Sequence, residues 1–317
     1  MKITLRKPLA FSEIGRKENH EDALYPNPET VDIGQRVFLL CDGMGGHEHG
    51  EVASNTVAEA MGRALETSTN PREAFTSAMA AAYDALDAKD TDESGKKMGT
   101  TLTCLILDDM GAFVAHIGDS RVYQIRPSSG LVLQTSDHSL VNDLLKAGEL
   151  TEEEAANYPH KNVITRAMQP HQEQRSKAEI DLQRDVQSGD YFFLCCDGVL
   201  EQLTNQRLCE ILAMDIPDPN KLALIKSECD GKTRDNYTCW LIPIDKVEKD
   251  FADENPDEAE EAIVAEAEEA EATERGPFDF FRAIKRRLDN FRKRFSTRIT
   301  GSMDQKRHKK DIYLKKN

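Results

Sequence analysis

The feature that most limits the possible folds is a series of short β-strand patterns joined by tight turns in the middle of the chain. Strand patterns cover residues 100–107, 112–126 and 131–135, and turn sequences occupy residues 108–111 and 127–130. Consecutive strands joined by such short turns have to be antiparallel, because a parallel pair needs a long crossover connection. The sequence therefore argues against a parallel sheet of the dinucleotide-binding type.

Helical patterns lie on both sides of this β region. Ala-rich patterns cover residues 51–66 and 71–90, and Asn70-Pro71 marks the start of the second helix. Shorter helix signals cover residues 139–147, 152–157, 206–214 and 220–229. Further strand patterns cover residues 2–13, 36–40 and 237–244. Strands and helices thus alternate along the first 245 residues, as is typical of a folded domain.

Two apolar runs each end in Asp followed by Gly. Residues 37–41 lead to Asp42, and residues 191–196 lead to Asp197. Runs of this kind are typical of buried strands, so each brings a carboxylate to a sheet edge, where the Gly lets the backbone turn or approach a ligand. Asp235 stands just before the last strand pattern. Matching carboxylates at strand ends suggest one shared metal site.

Such a site suits the hydrolysis of a phosphate ester. Without a protein nucleophile, two divalent ions about 3.5–4 Å apart can supply a bridging hydroxide and neutralise the phosphoryl oxygens. Asp42 is placed to bridge them. Carboxylates, the Gly43 carbonyl and water are hard oxygen ligands that favour Mg²⁺ or Mn²⁺ over Zn²⁺. A single Asp-Gly pair is most often a turn, so the interpretation as a metal-dependent phosphatase depends on the combination of motifs.

Composition limits the partners and the compartment. The net charge of −16 argues against nonspecific nucleic-acid binding by the whole molecule, because phosphate backbones attract cationic surfaces. The Cys residues lack regular pairwise spacing, which predicts reduced thiols in a reducing cytosol. Residues 1–11 lack the apolar core of a signal peptide, and no run of about eighteen apolar residues occurs. We therefore expect a cytoplasmic protein.

The composition changes after residue 245, the expected end of the folded domain 1–245. Residues 246–275 are dominated by Glu, Asp and Ala and are predicted to be an acidic linker. In the basic tail 276–317, apolar side chains recur at helical spacing, with Lys and Arg opposite. These side chains are Phe281, Ile284, Leu288, Phe291 and Phe295. Such a helix suits an anionic membrane surface or a partner groove, and docking onto the acidic part of the same chain is the alternative.

Ordered motifs along the first 245 residues resemble the bacterial form of the metal-dependent protein phosphatases known as the PPM or type 2C family. The matching segments are residues 15–23, 41–54, 98–102, 115–123, 137–139, 162–167, 196–198 and 235–238. The resemblance implies an α+β fold, a four-layer α-β-β-α sandwich of two antiparallel sheets flanked by helices, here with a charged C-terminal tail. It also implies hydrolysis of phosphoserine and phosphothreonine on proteins, in opposition to a Ser/Thr kinase.

The resemblance implies two Mn²⁺ or Mg²⁺ ions in the active site. Asp42 would bridge both ions, and Gly43 would ligate one of them through its carbonyl oxygen. Asp197 and Asp235 would hold the other ion. These positions are far apart in the sequence, so a shared site requires the fold to bring them together.

Three further acidic residues are implied at the margin of this site. Glu21 and Asp22 would lie at or just behind the first metal, largely through waters. Asp119, in the turn Gly-Asp-Ser-Arg, would support a third, more weakly held metal of the kind found in bacterial relatives. The expected site therefore holds two ions and has a place for a third.

One departure from the family pattern concerns the substrate phosphate. Where the family has an Arg five residues before the Asp of the Glu-Asp pair, this chain has Lys17, with Arg16 one position earlier. Lys binds phosphate as a point charge and lacks the planar, two-pronged donor set of Arg. We favour Lys17 over Arg16 as the phosphate-binding residue.

A second departure concerns the general acid. Eukaryotic relatives use a His directly after the Asp-Gly pair, and here that position is Met44. His47 is the nearest titratable candidate, as in bacterial members with Gly-Gly-His. Two alternatives stay open: His47 only shapes the rim of the site, or a metal-bound water protonates the leaving group.

Two other His residues are expected to be structural. His116 lies in a strand pattern and is predicted to be packed or hydrogen-bonded. His138 is predicted to order a loop before a helix, with Asp137 or Ser139 as the N-cap. The segment 138–162 resembles the flap that varies between family members and touches protein substrates, so we expect substrate choice to depend on it.

Two other classes of function are considered. The Lys17 departure motivates a pseudophosphatase that recognises phosphoproteins without hydrolysing them. The tail motivates an interaction protein that binds an anionic surface or an acidic partner. Because all expected metal-ligand positions are retained, the sequence favours the enzyme. Asp-to-Asn changes at those positions would separate the enzyme from the pseudophosphatase, and deletion of the residues beyond 245 would test the tail-driven class.

Overall fold

The computed structural model describes residues 1–45, 49–90, 98–156, 158–159 and 163–249. Antiparallel sheets form the centre of this region, and helices flank them. The strands are β1 (Lys2–Leu5), β2 (Leu9–Glu13), β3 (Asp22–Tyr25), β4 (Val37–Met44), β5 (Gly99–Thr100), β6 (Leu102–Asp108), β7 (Gly111–Ile117), β8 (Arg121–Arg126), β9 (Gly130–Gln134), β10 (Glu179–Gln183), β11 (Tyr191–Cys195) and β12 (Tyr237–Glu248). The helices are α1 (His49–Glu66), α2 (Pro71–Lys89), α3 (Leu140–Lys146), α4 (Glu152–Ala156), α5 (Asp197–Leu200), α6 (Asn205–Ala213) and α7 (Asp218–Cys229).

The strands form two sheets. Sheet 1 has the strand order β1-β12-β11-β8-β9, and β2 also pairs with β12. Sheet 2 has the order β10-β7-β6-β4-β3, and β5 also pairs with β4. Every one of these pairs is antiparallel. The prediction of two antiparallel sheets flanked by helices is therefore confirmed.

The predicted turns at 108–111 and 127–130 close the hairpins β6–β7 and β8–β9. However, the prediction of one strand over 112–126 was wrong, because β7 belongs to sheet 2 and β8 to sheet 1. The chain changes sheet at Gly118, whose φ of 104° is a conformation that glycine adopts without steric cost. Alternating hydrophobicity alone cannot show where a chain leaves one sheet for another.

Further differences concern strands that the sequence patterns divided wrongly or missed. The single strand predicted over 2–13 is two strands, β1 and β2, and Pro8, which has no N–H to donate to a sheet, lies between them. Strand β10 was missed because residues 179–182 are exposed, so their sequence carries no core-facing pattern.

Alternation along β4 divides the core into two parts. Phe38 and Leu40 pack between the sheets, whereas Leu39 and Cys41 pack with α1 and α2. The fully buried Trp240 of β12 links the sheets, because its Nε1 donates to the carbonyl oxygen of Leu39 at 3.1 Å. Helices α6 and α7 contact sheet 1. This core holds the strand ends that carry the acidic residues.

The described elements form one compact unit, Met1–Glu248. Within the described ranges, no helix has the length and apolar character needed to cross a bilayer. Residues 246–248, which the sequence assigned to the acidic linker, are the end of β12. The rest of the linker from position 250 and the basic tail lie outside the described residues and stay predictions.

Candidate metal centre

Strands β3 and β4 bring two carboxylates together. Asp22 in β3 lies directly opposite Asp42 in β4, and directly opposed side chains share one face of a sheet. One ligand atom from each of Asp22, Asp42 and Cys196 lies within 4.8 Å of the others. Asp22 is buried, and neither of its carboxylate oxygens has a hydrogen-bond partner in the described part of the chain. Buried oxygens without partners are available to a cation.

Neighbouring strands β11 and β12 of sheet 1 contribute two more carboxylates. Asp197 opens helix α5 just after β11, and Asp235 lies two residues before β12. Because the strands are antiparallel neighbours, these two positions lie at the same end of the sheet. Gly198 permits the close approach, since a Cβ at this position would lie 1.9 Å from the carbonyl oxygen of Asn236. Only glycine fits where these segments meet.

Gly43 and Glu21 lie where β4 meets the start of α1. The Gly43 N–H donates to the carbonyl oxygen of Glu21 at 3.0 Å. A Cβ at Gly43 would lie 2.1 Å from the carbonyl oxygen of Gly50. Glu21 Oε1 is buried and, among the described residues, has no hydrogen-bond partner. The backbone of Gly43 is thus held in a space that excludes any side chain.

Asp119 reaches the same centre from the turn between β7 and β8. It is buried, and its Oδ1 has no hydrogen-bond partner within the ranges that the structure describes. The charge of Asp197 acts on Asp119, and the charge of Asp119 acts on Asp42. The turn where the chain changes sheet therefore adds a carboxylate to the centre.

Burial, together with the crowding of negative charge, raises the pKa of these groups. Burial, followed by the charges of Asp197 and Asp235, raises the pKa of Asp22 to about 7. Burial and the charge of Asp197 raise the pKa of Asp119 to about 7, and burial and the charge of Asp235 raise that of Asp197 to about 6. Burial and the charge of Asp22 raise the pKa of Asp42 well above its usual range. Converging hard oxygen donors that repel one another fit divalent cations such as Mn²⁺ or Mg²⁺.

The two candidate phosphate-binding cations have different partners. Lys17 Nζ lies 2.8 Å from Asp235 Oδ1. Partial burial lowers the pKa of Lys17, but the contact with Asp235 together with the charges of Glu21 and Asp42 outweighs burial, and the pKa is raised above its usual value. Arg16 instead donates from Nη2 to the carbonyl oxygen of Gly231 at 2.6 Å. Lys17 is thus beside the acidic centre, and its role in phosphate binding stays a prediction.

The predicted general acid, His47, lies outside the described residues, in the gap 46–48. Met44, which occupies the position of the eukaryotic His, ends β4 and pairs with Gly99 of β5. A thioether has no proton to give, so the structure offers no acid at position 44 itself. The role of His47 stays a prediction.

A second group of potential metal ligands is formed by His116 of β7, His138 and Glu179 of β10. His138 Nδ1 accepts the N–H of Gly118 at 3.1 Å, so Nε2 carries the ring proton and donates to Glu179 Oε2 at 3.3 Å. The His116 ring stacks on that of His138, and its Nε2 hydrogen-bonds to the carbonyl oxygen of Ser136 at 2.9 Å. Because His138 has no lone pair left, these three residues do not fit a metal.

The loop prediction at His138 can be compared directly with the structure. Ser139 is the N-cap of α3, and its side chain accepts the N–H of Asn142. The N-cap prediction is confirmed for Ser139. Backbone bonds from Leu140 to Val163 and from Thr165 to His138 hold the two ends of the intervening segment together. The two ends of the segment predicted to be the flap are therefore held together by backbone hydrogen bonds.

Sequence reasoning missed Cys196 and Asn236. Cys196 Sγ, close to Asp22, accepts the N–H of Thr238 at 3.2 Å and donates to the carbonyl oxygen of Asn236 at 3.4 Å. The Asn236 side chain accepts the N–H of Glu21 at 2.8 Å. Cys196 directly precedes Asp197, and Asn236 directly follows Asp235. This adjacency to a predicted ligand is the sequence signal that could have identified them.

A comparison with known families gives a match over most of the described region. Residues 12–215 match the family model described as protein phosphatase 2C. This chain belongs to the protein phosphatase 2C family. The matched range includes Asp22, Asp42, Asp119 and Asp197 and ends before Asp235.

Relatives of this phosphatase 2C family member have similar sequences and folds. Protein phosphatase PhpP of Streptococcus pneumoniae is 35% identical over 244 residues, which are 74% of this chain and 96% of that protein. The crystal structure of the Mycobacterium tuberculosis serine/threonine phosphatase PstP/Ppp has a TM-score of 0.65 and 30% identity, and the match covers 77% of this chain and 100% of that chain. A structure of the catalytic domain of serine/threonine phosphatase PstP in complex with two manganese ions matches with a TM-score of 0.61, 29% identity and the same coverage. The predicted family is confirmed.

Proposed function

We propose that this phosphatase 2C family member hydrolyses phosphoserine and phosphothreonine on proteins at a centre of two Mn²⁺ or Mg²⁺ ions. One observation carries the proposal: carboxylates from β3, β4 and the loops beside β7, β11 and β12 converge with buried oxygens that lack hydrogen-bond partners within the described ranges. The similarity to serine/threonine phosphatase PstP, which is solved with two manganese ions, supports the metal and the reaction.

Four residues at or beside strand ends would hold the two ions: Asp42, Gly43, Asp197 and Asp235. Bound there, the ions would generate a nucleophile from water and neutralise the phosphoryl oxygens. Asp42, whose pKa is raised by burial and by the charges of Asp22, Asp197, Asp119 and Asp235, would contact both ions. Gly43 would offer its carbonyl oxygen to one, and Asp197 and Asp235 would hold the other.

The remaining acidic residues would support the centre. Glu21 and Asp22, on the β3 side, would orient waters on the first ion, since their buried oxygens have no other partner among described residues. Asp119 would hold a third, weaker ion from the β7–β8 turn. The negative potential that these groups share would also attract cations to the site.

Two residues would act on the substrate. Lys17, whose ammonium group lies at the Asp235 carboxylate, would bind the phosphate oxygens. Arg16, held by the Gly231 carbonyl, is the alternative cation. His47 would donate a proton to the leaving hydroxyl oxygen of Ser or Thr.

The enzyme proposal is tested with a phosphothreonine peptide and excess Mn²⁺. The wild-type chain should release phosphate, and D42N, D197N and D235N should each lose this activity. The matched control is D109N, an exposed Asp in the β6–β7 turn, which should keep it. A folded wild-type protein that binds the peptide but releases no phosphate would contradict hydrolysis and favour the pseudophosphatase.

We further propose phosphoproteins of the cytoplasm as substrates, with a Ser/Thr kinase as the opposing enzyme. The basic segment 276–317 would bring the enzyme to an anionic membrane surface or an acidic partner, because its Lys and Arg residues lie opposite a stripe of apolar residues at helical spacing. Flotation with anionic and with neutral liposomes tests the membrane contact. Equal recovery of the full chain and of a chain ending at Glu248 with anionic liposomes would contradict it.

A further inference from the structure

Thr101, between β5 and β6, is hydrogen-bonded to the backbone of Asp42. Its Oγ1 accepts the N–H of Asp42 at 3.0 Å, and its own N–H donates to the carbonyl oxygen of Asp42 at 2.8 Å. Thr101 is fully buried. Asp42, the residue expected to bridge two cations, is therefore held through both its N–H and its carbonyl oxygen by a residue outside the expected ligand set.

The same hydroxyl also reaches the Asp119 turn. Thr101 Oγ1 lies 2.8 Å from Ser120 Oγ, and Ser120 is fully buried. The methyl group packs against Gly118, since a Cβ at Gly118 would lie 2.6 Å from Thr101 Cγ2. Thr101 thus contacts both residues that flank Asp119, one through its hydroxyl and the other through its methyl group.

We propose that Thr101 is a positioning residue that fixes Asp119 relative to Asp42 and so couples the third-cation site to the two-metal centre. This inference rests on the proposed function. The two halves of the side chain act separately: the hydroxyl joins Asp42 to Ser120, and the methyl group fills the space beside Gly118. Residues that orient metal ligands commonly change metal affinity or activity about 10–100-fold when they are replaced.

Variants of Thr101 and Ser120 separate these contributions. Val at position 101 keeps the shape and removes the hydroxyl, whereas Ser keeps the hydroxyl and removes the methyl group. The matched control is Thr103→Val, because Thr103 is also fully buried and donates to a β4 carbonyl, that of Leu40, at 3.0 Å. Ser120→Ala is a milder variant that leaves the bond between Thr101 and Asp42 in place, and it serves if Thr101→Val does not fold.

Mn²⁺ binding is measured by electron paramagnetic resonance of the free ion, alongside hydrolysis of a small aryl phosphate as a function of Mn²⁺ concentration. T101V should weaken the lowest-affinity Mn²⁺ by about tenfold or more and raise the Mn²⁺ concentration needed for half-maximal activity. S120A should weaken only the lowest-affinity ion. T101S, which keeps both hydroxyl contacts and loses only the packing against Gly118, should weaken that ion less than T101V does. T103V should bind Mn²⁺ as the wild type does.

Two outcomes have different meanings. If wild type neither binds Mn²⁺ nor hydrolyses the ester, the proposed function fails and takes this inference with it. If wild type is active, and folded T101V or S120A binds its weakest Mn²⁺ as tightly as T103V does, the positioning role is overturned while the function stands.

Discussion

Asp22 and Asp42 lie directly opposite each other in adjacent antiparallel strands. Opposed side chains in such a pair have Cβ atoms about 4.5–5.5 Å apart, and like charges placed there destabilise a sheet. Asp22 is buried as well, and burial is the main reason that its pKa rises to about 7. Without a bound cation, this arrangement of carboxylates lowers the stability of the folded protein. A divalent cation that binds there raises the stability of the folded protein.

The first prediction concerns Asp42→Asn. We expect the rate of phosphate release to fall on the order of 1,000-fold, because the central ligand is lost. In the presence of a chelator, the same change should raise the free energy of unfolding by about 1 kcal/mol, since it removes a carboxyl group that faces Asp22 and is costly to ionise there. Urea denaturation with and without Mn²⁺ measures this. Loss of stability with the chelator would contradict the crowding of charges, and Asp109→Asn is the control.

A second prediction concerns the effect of pH on stability in the presence of a chelator. The folded pKa values of Asp22 and Asp119, about 7, and of Asp197, about 6, exceed the unfolded value of about 4. The folded state therefore holds more protons, and the free energy of unfolding should fall as pH rises from about 4 to about 7. Each pKa unit corresponds to about 1.4 kcal/mol.

Urea denaturation at several pH values checks this slope. Asp22→Asn should make the slope shallower, because one of the shifted groups is removed. Saturating Mn²⁺ should remove or reverse the slope, because the cation binds the deprotonated carboxylates. A chelated wild-type protein that becomes more stable over this pH range would contradict the prediction.

The third prediction concerns Lys17. Lys17→Ala should raise the KM for a small aryl phosphate about tenfold at saturating Mn²⁺, because a charge-assisted contact to the phosphate is lost. Lys17→Arg should restore binding, since a guanidinium offers paired donors to phosphate. Arg16→Ala should change KM less than threefold or so, because Arg16 bonds to the Gly231 carbonyl. A larger effect at Arg16 than at Lys17 would assign the phosphate to Arg16.

The fourth prediction concerns Gly43→Ala. The added Cβ would lie 2.1 Å from the Gly50 carbonyl oxygen and 2.6 Å from that of Glu21, so the backbone has to move. We expect the free energy of unfolding to fall by about 1–3 kcal/mol and Mn²⁺ affinity to fall with it. Gly34→Ala is the control, because its Cβ would meet only the side chain of Asp32. Calorimetric Mn²⁺ titration and urea denaturation measure both effects, and equal values for the two variants would contradict the steric account.

Sequence patterns predicted local structure well where apolar periodicity and turn chemistry agree. The hairpin turn at 108–111 closes β6–β7, and Ser139 caps α3, because both features depend on residues close in the chain. Sequence patterns failed where the local structure depends on a segment that is distant along the chain. The break between β7 and β8 at Gly118 reflects the choice of sheet, and the exposed β10 has no apolar face to reveal it.

The sequence by itself determined that antiparallel strands would carry Asp-Gly pairs at their ends and that oxygen ligands would dominate any metal site. Tertiary structure alone decided that Asp22 opposes Asp42, that Thr101 joins Asp42 to the Asp119 turn, and that Lys17 contacts Asp235 while Arg16 does not. The physical reason is distance along the chain. Local propensities fix turns and strands. Which charges meet, which oxygens are buried and which backbone segments approach closely depend on parts of the chain that come together only when both sheets pack.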